Sequence, residues 1–166
     1  MEIRQLESKD AEIYRSIRLE ALQSSPNSFA ASYEDENKQT ADKYKTRFQT
    51  PSNAFTFGAF EANQLVGVIT LVRESLSKLN HRASIVAMYT KPEKRGRGVG
   101  KALFTKVIDK AIELEGVEQI NLTVVSTNEV AKKLYASCGF EVFGREKNAL
   151  KHEGAYYDEE HMVLFL

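Results

Sequence analysis

The 166-residue chain has one cysteine, Cys138, so no internal disulfide can form and a crosslinked secreted scaffold is excluded. Neither sign of charge is in surplus: Lys and Arg number 23, and so do Asp and Glu. A balanced chain has no net field to draw it to nucleic acid or to an anionic bilayer. Long apolar runs are missing too. Met1 to Arg4 open no apolar signal-like segment, and no later stretch reaches the roughly 20 apolar residues of a spanning helix. Internal repeats, low-complexity tracts and linkers are likewise absent. These absences predict one α+β domain over residues 1–166, cytoplasmic, with no membrane or nucleic-acid partner and no metal.

What the chain does have is a glycine-rich turn between a strand-like stretch and a long helical stripe. Residues 83–90 are apolar and β-branched with loose alternation, as in a half-buried strand. Further on, Leu103, Val107, Ala111 and Leu114 share one helical stripe, which Phe104, Ile108 and Ile112 widen. Between them Gly96, Gly98 and Gly100 let the backbone approach a ligand closely. The first amides of a helix lack intrahelical partners and sit at its positive dipole end. Arg95, Arg97 and Lys101 add positive charge around the turn. The bottom-up reading is a pyrophosphate cradle; its rival is a flexible loop leading into a basic helix. A dinucleotide fingerprint fails, because Arg95 stands where its first glycine belongs and no acidic residue follows at the required place. A Walker loop fails for want of a closing Gly-Lys-Ser/Thr.

The remaining pattern predicts a strand over residues 2–6 and a helix over 10–24 capped by Ser8, broken at Ser25-Pro26-Asn27. Charge dominates residues 34–48, where Tyr44 and Phe48 at helical spacing suggest a second, more exposed helix. A turn is expected at residues 51–53, then a hairpin of strands 54–61 and 64–72 around Ala62-Asn63. Residues 73–81 read as a loop, 119–125 as a strand and 128–137 as a short helix ending before Gly139. Residues 140–143 and 162–166 read as final strands joined by a polar, tyrosine-bearing segment.

In that short helix Asn128 and Tyr135 lie seven apart, hence on one face, with Ala131 and Lys132 between. Taken alone, they would be a helix cap and an amphipathic tyrosine. Their order changes the weighting. Arg95-x-x-Gly98-x-Gly100, followed after a helix and a strand by Asn128-x-x-Ala131-x-x-x-Tyr135 and Gly139-Phe140, resembles the GNAT superfamily of acyl-CoA-dependent N-acetyltransferases. The resemblance is specific from about residue 83 to residue 143 and follows element order over nearly the whole chain.

That resemblance implies a layered α/β/α fold of the α+β class, with a mixed, mostly antiparallel sheet of about six to seven strands and about four helices. It implies acetyl-CoA as cosubstrate, held by Arg95, Gly96, Arg97, Gly98, Val99, Gly100 and Lys101 at the pyrophosphate. Met88, Tyr89 and Thr90 would face the acyl group and pantetheine from a bulged, splayed strand. Asn128, with Ala131 and Lys132 beside it, would bind the pantetheine arm, and Tyr135 would be the general acid at sulfur. The implied reaction is direct attack by a primary amine of a small molecule, an amino acid or a protein N-terminus. An acyl-enzyme on Cys138 lacks a supporting His–Cys spacing. The base stays open among Glu34, Glu36, Glu74, His81 and a water relay. Tyr156, Tyr157, Asp158 and Glu159 are candidates for the acceptor mouth, although a polar hairpin pairing two strands, with a homodimer as its extension, reads better. A catalytically silent acyl-CoA sensor is the alternative; Tyr135 together with Asn128 favours the enzyme.

Overall fold

The structure is a computed structural model and describes residues 1–49 and 53–166. The turn expected at residues 51–53 lies largely outside the described residues. Among the described residues seven strands form one sheet in the order β1-β2-β3-β4-β5-β7-β6. They are β1 (Glu2–Gln5), β2 (Ala54–Glu61), β3 (Gln64–Arg73), β4 (Arg82–Thr90), β5 (Gln119–Val125), β6 (Glu141–His152) and β7 (Ala155–Phe165). Every pairing is antiparallel except β4 with β5. Five α-helices among the described residues accompany them: α1 (Ala11–Ser24), α2 (Tyr33–Asn37), α3 (Asp42–Gln49), α4 (Val99–Glu113) and α5 (Glu129–Ser137).

The two sheet faces carry separate cores. On one, Leu103, Phe104, Val107 and Ala111 of α4 and Tyr135 of α5 pack on Ile69, Leu71, Ile85, Ile120, Leu122 and Met162. On the other, Tyr14, Ile17 and Ala21 of α1 meet Tyr44 and Phe48 of α3 over Phe60, Val68 and Tyr89. Tyr14 crosses Tyr44 edge to face at 4.8 Å and Phe48 at 5.3 Å. This is the layered α+β arrangement expected from the sequence.

Some local expectations change. Ser8 does not cap α1; its hydroxyl donates to the Lys45 carbonyl. The chain instead enters through a 3-10 turn, Ser8–Asp10, with the Glu7 amide bonded to Asp10. Arg4 clamps that carboxylate with two bonds of 2.7 and 2.8 Å, holding it below its ordinary pKa. The charged stretch 34–48 is two helices rather than one. Ser32 caps the first by accepting from the Asp35 amide, and residues 38–41 turn the chain so that Tyr44 and Phe48 bury on α1. Ile112 leaves the helical stripe and is exposed. The segment joining the last two strands is itself strand: β6 and β7 run on as a long hairpin to a turn at Glu153 and Gly154.

Two irregularities shape the C-terminal end of β4. Val86 opposes Thr70 and Tyr89 opposes Val68, so two residues of β4 face one of β3. Ala87, at φ 54°, takes the strained place in this bulge. The bulge reverses the facing, sending Met88 toward the α4 core and Tyr89 toward the α1 core. In addition, β4 pairs with β5 only from Arg82 to Ser84 and then departs from it.

Candidate active site

Where β4 and β5 part, a cleft of about 580 Å³ opens between the end of β4, the start of α4 and the face of α5. At the turn, Gly98 caps α4 at φ 81°, a left-handed conformation that a side chain would strain. Val99, Gly100 and Lys101 are the first helical residues, and the first bond into the helix runs from the Ala102 amide to the Gly98 carbonyl. The three preceding amides are thus left to a ligand at the positive end of a 15-residue helix. A Cβ on Gly100 would stand 2.9 Å from Leu134 and 3.3 Å from Met88, both in the cleft wall, so glycine sets the cleft's width there. These features fit an extended diphosphate-bearing ligand with a thin arm.

Of the residues expected to hold a cofactor, Met88, Tyr89, Thr90, Arg95, Gly96, Gly98, Val99, Gly100, Lys101, Asn128, Ala131 and Tyr135 line the cleft. Arg97 and Lys132 do not. Arg97 is exposed beside the turn. Lys132 turns to Glu160 at 3.1 Å, Glu129 at 3.1 Å and the Ser126 carbonyl at 3.2 Å. Other side chains are also committed: Lys94 pairs with Glu61 at 2.7 Å, and Arg95 donates to the Thr90 carbonyl at 3.0 Å. Lys101 makes no ion pair among the described residues. Thr90 Oγ1 is buried in the wall without a hydrogen-bond partner among them.

Tyr135 is nearly enclosed, its ring 5.0 Å from that of Phe104. Burial, with a smaller effect from Cys138, pushes its phenol up to about 12, so the hydroxyl stays protonated. Its hydroxyl makes no hydrogen bond to a described residue, which leaves it to donate into the cleft. Burial also raises the Cys138 thiol, the wrong direction for a nucleophile at neutral pH. Asn128 Oδ1 accepts from the Ala131 amide at 3.2 Å, so it is a helix cap whose amide nitrogen remains to donate. Tyr89 is tied to α1: its hydroxyl donates to Glu20 at 3.0 Å and lies 3.0 Å from Ser24 Oγ.

Sequence reasoning missed Ser25, Ser28, Phe29, Thr123, Val125, Val130 and Leu134, which also line the cleft. The Ser25-Pro26 helix break and the exposed, apolar Val130 were the available signals. A second cavity of about 590 Å³ lies beyond Phe29, which lines both. Its walls come from residues 26–34 and from Leu150, Lys151, His152, Glu153 and Tyr157 of the terminal hairpin. Among the candidate bases, Glu34 reaches this cavity, while Glu36 is bound to Lys43 at 2.8 Å. Glu74 and His81 lie at the opposite end of β4 from the glycine turn, nine strand residues or about 27 Å away.

The family profile described as the acetyltransferase (GNAT) family matches residues 15–140. The chain belongs to this family. It is 29% identical over 140 residues to a mycothiol acetyltransferase of Brachybacterium faecium, covering 84% of this chain and 40% of that one. It is 26% identical over 100 residues to a spermidine N(1)-acetyltransferase of Vibrio cholerae, covering 60% and 56%. The chain therefore spans about half the length, or less, of these curated relatives. Among solved structures, a GCN5-related N-acetyltransferase from Kribbella flavida is 30% identical with a TM-score of 0.82, covering 99% and 97%. The yncA protein of Salmonella typhimurium, solved with its cofactor acetyl-CoA, shares the fold at 20% identity and a TM-score of 0.82, covering 100% and 94%. Among the described residues no helix is long and apolar enough to cross a membrane.

Proposed function

We propose that this GNAT protein transfers an acetyl group from acetyl-CoA to a primary amine of a small molecule, an amino acid or a protein N-terminus, in the cytoplasm. The observation that carries the reading is the meeting of unpartnered amides at the start of α4 with an enclosed, protonated phenol at Tyr135 in one cleft. The relatives' acetyltransferase names and the acetyl-CoA of the Salmonella structure support it.

Acetyl-CoA supplies an activated thioester. The amides of Val99, Gly100 and Lys101 hold its diphosphate, and the Lys101 ammonium adds charge there. The bulge at Ala87 and the parting from β5 leave backbone groups of Met88 to Thr90 without strand partners on the cleft side, facing the pantetheine arm and the acyl oxygen. The Asn128 amide donates to that arm. Tyr135 delivers its hydroxyl proton to the departing sulfur and regains one from solvent. The amine reaches the far side of the splay through the cavity beyond Phe29.

The test is release of free thiol from acetyl-CoA against a panel of amines, alongside calorimetry with acetyl-CoA. Thiol release with at least one amine supports the enzyme. Tight binding with a flat trace for every amine would leave an acyl-CoA sensor instead, and no binding would remove the cleft assignment.

A further inference from the structure

Strand β7 runs beside both cavities, and one of its carboxylates, Glu159, stands between a residue of each while lining neither. Glu160 of β7 pairs with Lys132 of α5, and Met162 lies in the α4 core, so even-numbered residues there face the α4–α5 side. Tyr157, Glu159 and His161 alternate with them and face the other way. Tyr157 lines the second cavity. Val125, the cross-strand partner of Glu159, lines the cleft. Cross-strand partners put their Cβ atoms about 5 Å apart on one face. The 3-10 turn Pro26–Ser28 packs over β5 and β6, which flank β7, and so roofs this stretch. Glu159 is half-buried and, among the described residues, enters no hydrogen bond or ion pair. It is thus, among the described residues, the one carboxylate of the β7 row that carries Tyr157, adjacent to a wall residue of each cavity and committed to neither a lysine nor an arginine.

We infer that Glu159 is the base that takes the proton from the acceptor's ammonium as the amine passes from the second cavity to the cleft. An N–H bond of the ammonium breaks, its electron pair stays on nitrogen, and an O–H bond forms on the Glu159 carboxylate, which later gives the proton to solvent. The titratable groups around it are Glu146 on β6 and Tyr157 and His161 on β7; β5 and the 3-10 turn present only neutral side chains there. His161 is turned toward Glu146, at 3.3 Å. Burial first, then the Glu146 carboxylate, raise Glu159 above the ordinary value, while His161 opposes them. A base poised higher is a better proton acceptor at neutral pH.

This inference rests on the acetyltransferase reading, and the experiment separates the two. Wild-type protein and Glu159→Gln are compared with the best amine from the panel over pH, with calorimetry for acetyl-CoA. The expected result is an unchanged acetyl-CoA affinity and about a hundredfold lower turnover at neutral pH. In the variant, turnover should then climb about tenfold per pH unit as the amine itself loses its proton, whereas the wild-type profile levels off. Glu159→Asp should restore part of the rate. Independently of activity, the carboxyl carbon-13 signal that Glu159→Gln removes should titrate above the usual glutamate range. Matching pH profiles in wild type and Glu159→Gln would overturn the inference, as would a profile that survives in Glu159→Gln but vanishes in His161→Asn. Absence of thiol release from the wild type would instead strike the acetyltransferase reading.

Discussion

The glycine turn lines the cleft and the terminal hairpin the cavity beyond Phe29, and the two are built on different principles. Around residues 88–101 the chain binds through backbone: positive φ at Gly96 and Gly98, unpaired amides on α4 and a bulge at Ala87. The turn and the amides depend on neighbours a few residues away, and the bulge on the adjacent strand β3. Around residues 26–34 and 150–157 the wall is made of segments more than a hundred positions apart, brought together by the sheet order β5-β7-β6. The difference separates the two halves of the reaction. On the proposed reading, a local device would hold the common cosubstrate and a long-range one would choose the acceptor.

The strongest way to sharpen that contrast is Tyr135→Phe. Removing the acid should lower turnover about a hundredfold or more and leave acetyl-CoA affinity within about twofold, because the ring still packs on Phe104. With the phenol pushed up to about 12, the wild-type rate should not fall between about pH 8 and about pH 10 through loss of this proton. A rate unaltered by the substitution would remove Tyr135 from the chemistry. Gly98→Asp attacks the local device itself, by straining a left-handed backbone and placing a carboxylate beside the phosphates. Its acetyl-CoA affinity should weaken about thirtyfold or more in calorimetry, about 2 kcal/mol, with the fold retained by circular dichroism.

Phe29→Ala probes the partition between the halves. The side chain walls both cavities, so its loss should raise the acceptor's KM about tenfold while acetyl-CoA binding changes less than about threefold. Equal losses for both substrates would mean that the cavities act as one.

These unequal halves also explain what could be read from the chain. The turn, α4 and α5 were legible because Gly98, Gly100, Asn128 and Tyr135 mark local geometry, and the two-residue spacing at Ala62-Asn63 marked a hairpin whose turn takes positive φ at both positions. The loose alternation of residues 83–90 was the bulge, seen without the partner strand that defines it. Illegible were the break at residues 38–41, which Tyr44 and Phe48 impose by packing on Tyr14, and the length of the two strands in the expected terminal hairpin, whose polar residues mask it. No local pattern told that Glu74 and His81 lie at the remote end of β4, or that residues 26–34 face residues 150–157; both arise from strand order. Glu159 was visible as a member of an acidic run, but its face was not.

The smallest effect expected is at Lys132, and it is the most discriminating of local reasoning. Its place between Asn128 and Tyr135 made it a cofactor candidate beside the pantetheine arm. In the fold that ammonium is shared by Glu160, Glu129 and the Ser126 carbonyl, and Glu160 in particular raises its pKa. A cation already engaged by two carboxylates contributes little field to a neighbouring anion. Lys132→Ala should therefore leave acetyl-CoA affinity within about twofold, whereas Lys101→Ala, which removes an unpaired cation at the helix start, should weaken it about fivefold. Calorimetry at low salt distinguishes the two, because the Lys101 effect should shrink as added salt screens it. If Lys132→Ala cost as much as Lys101→Ala, the ion pairs on β7 would have to open when ligand binds, and the cleft would be less preformed than its geometry indicates.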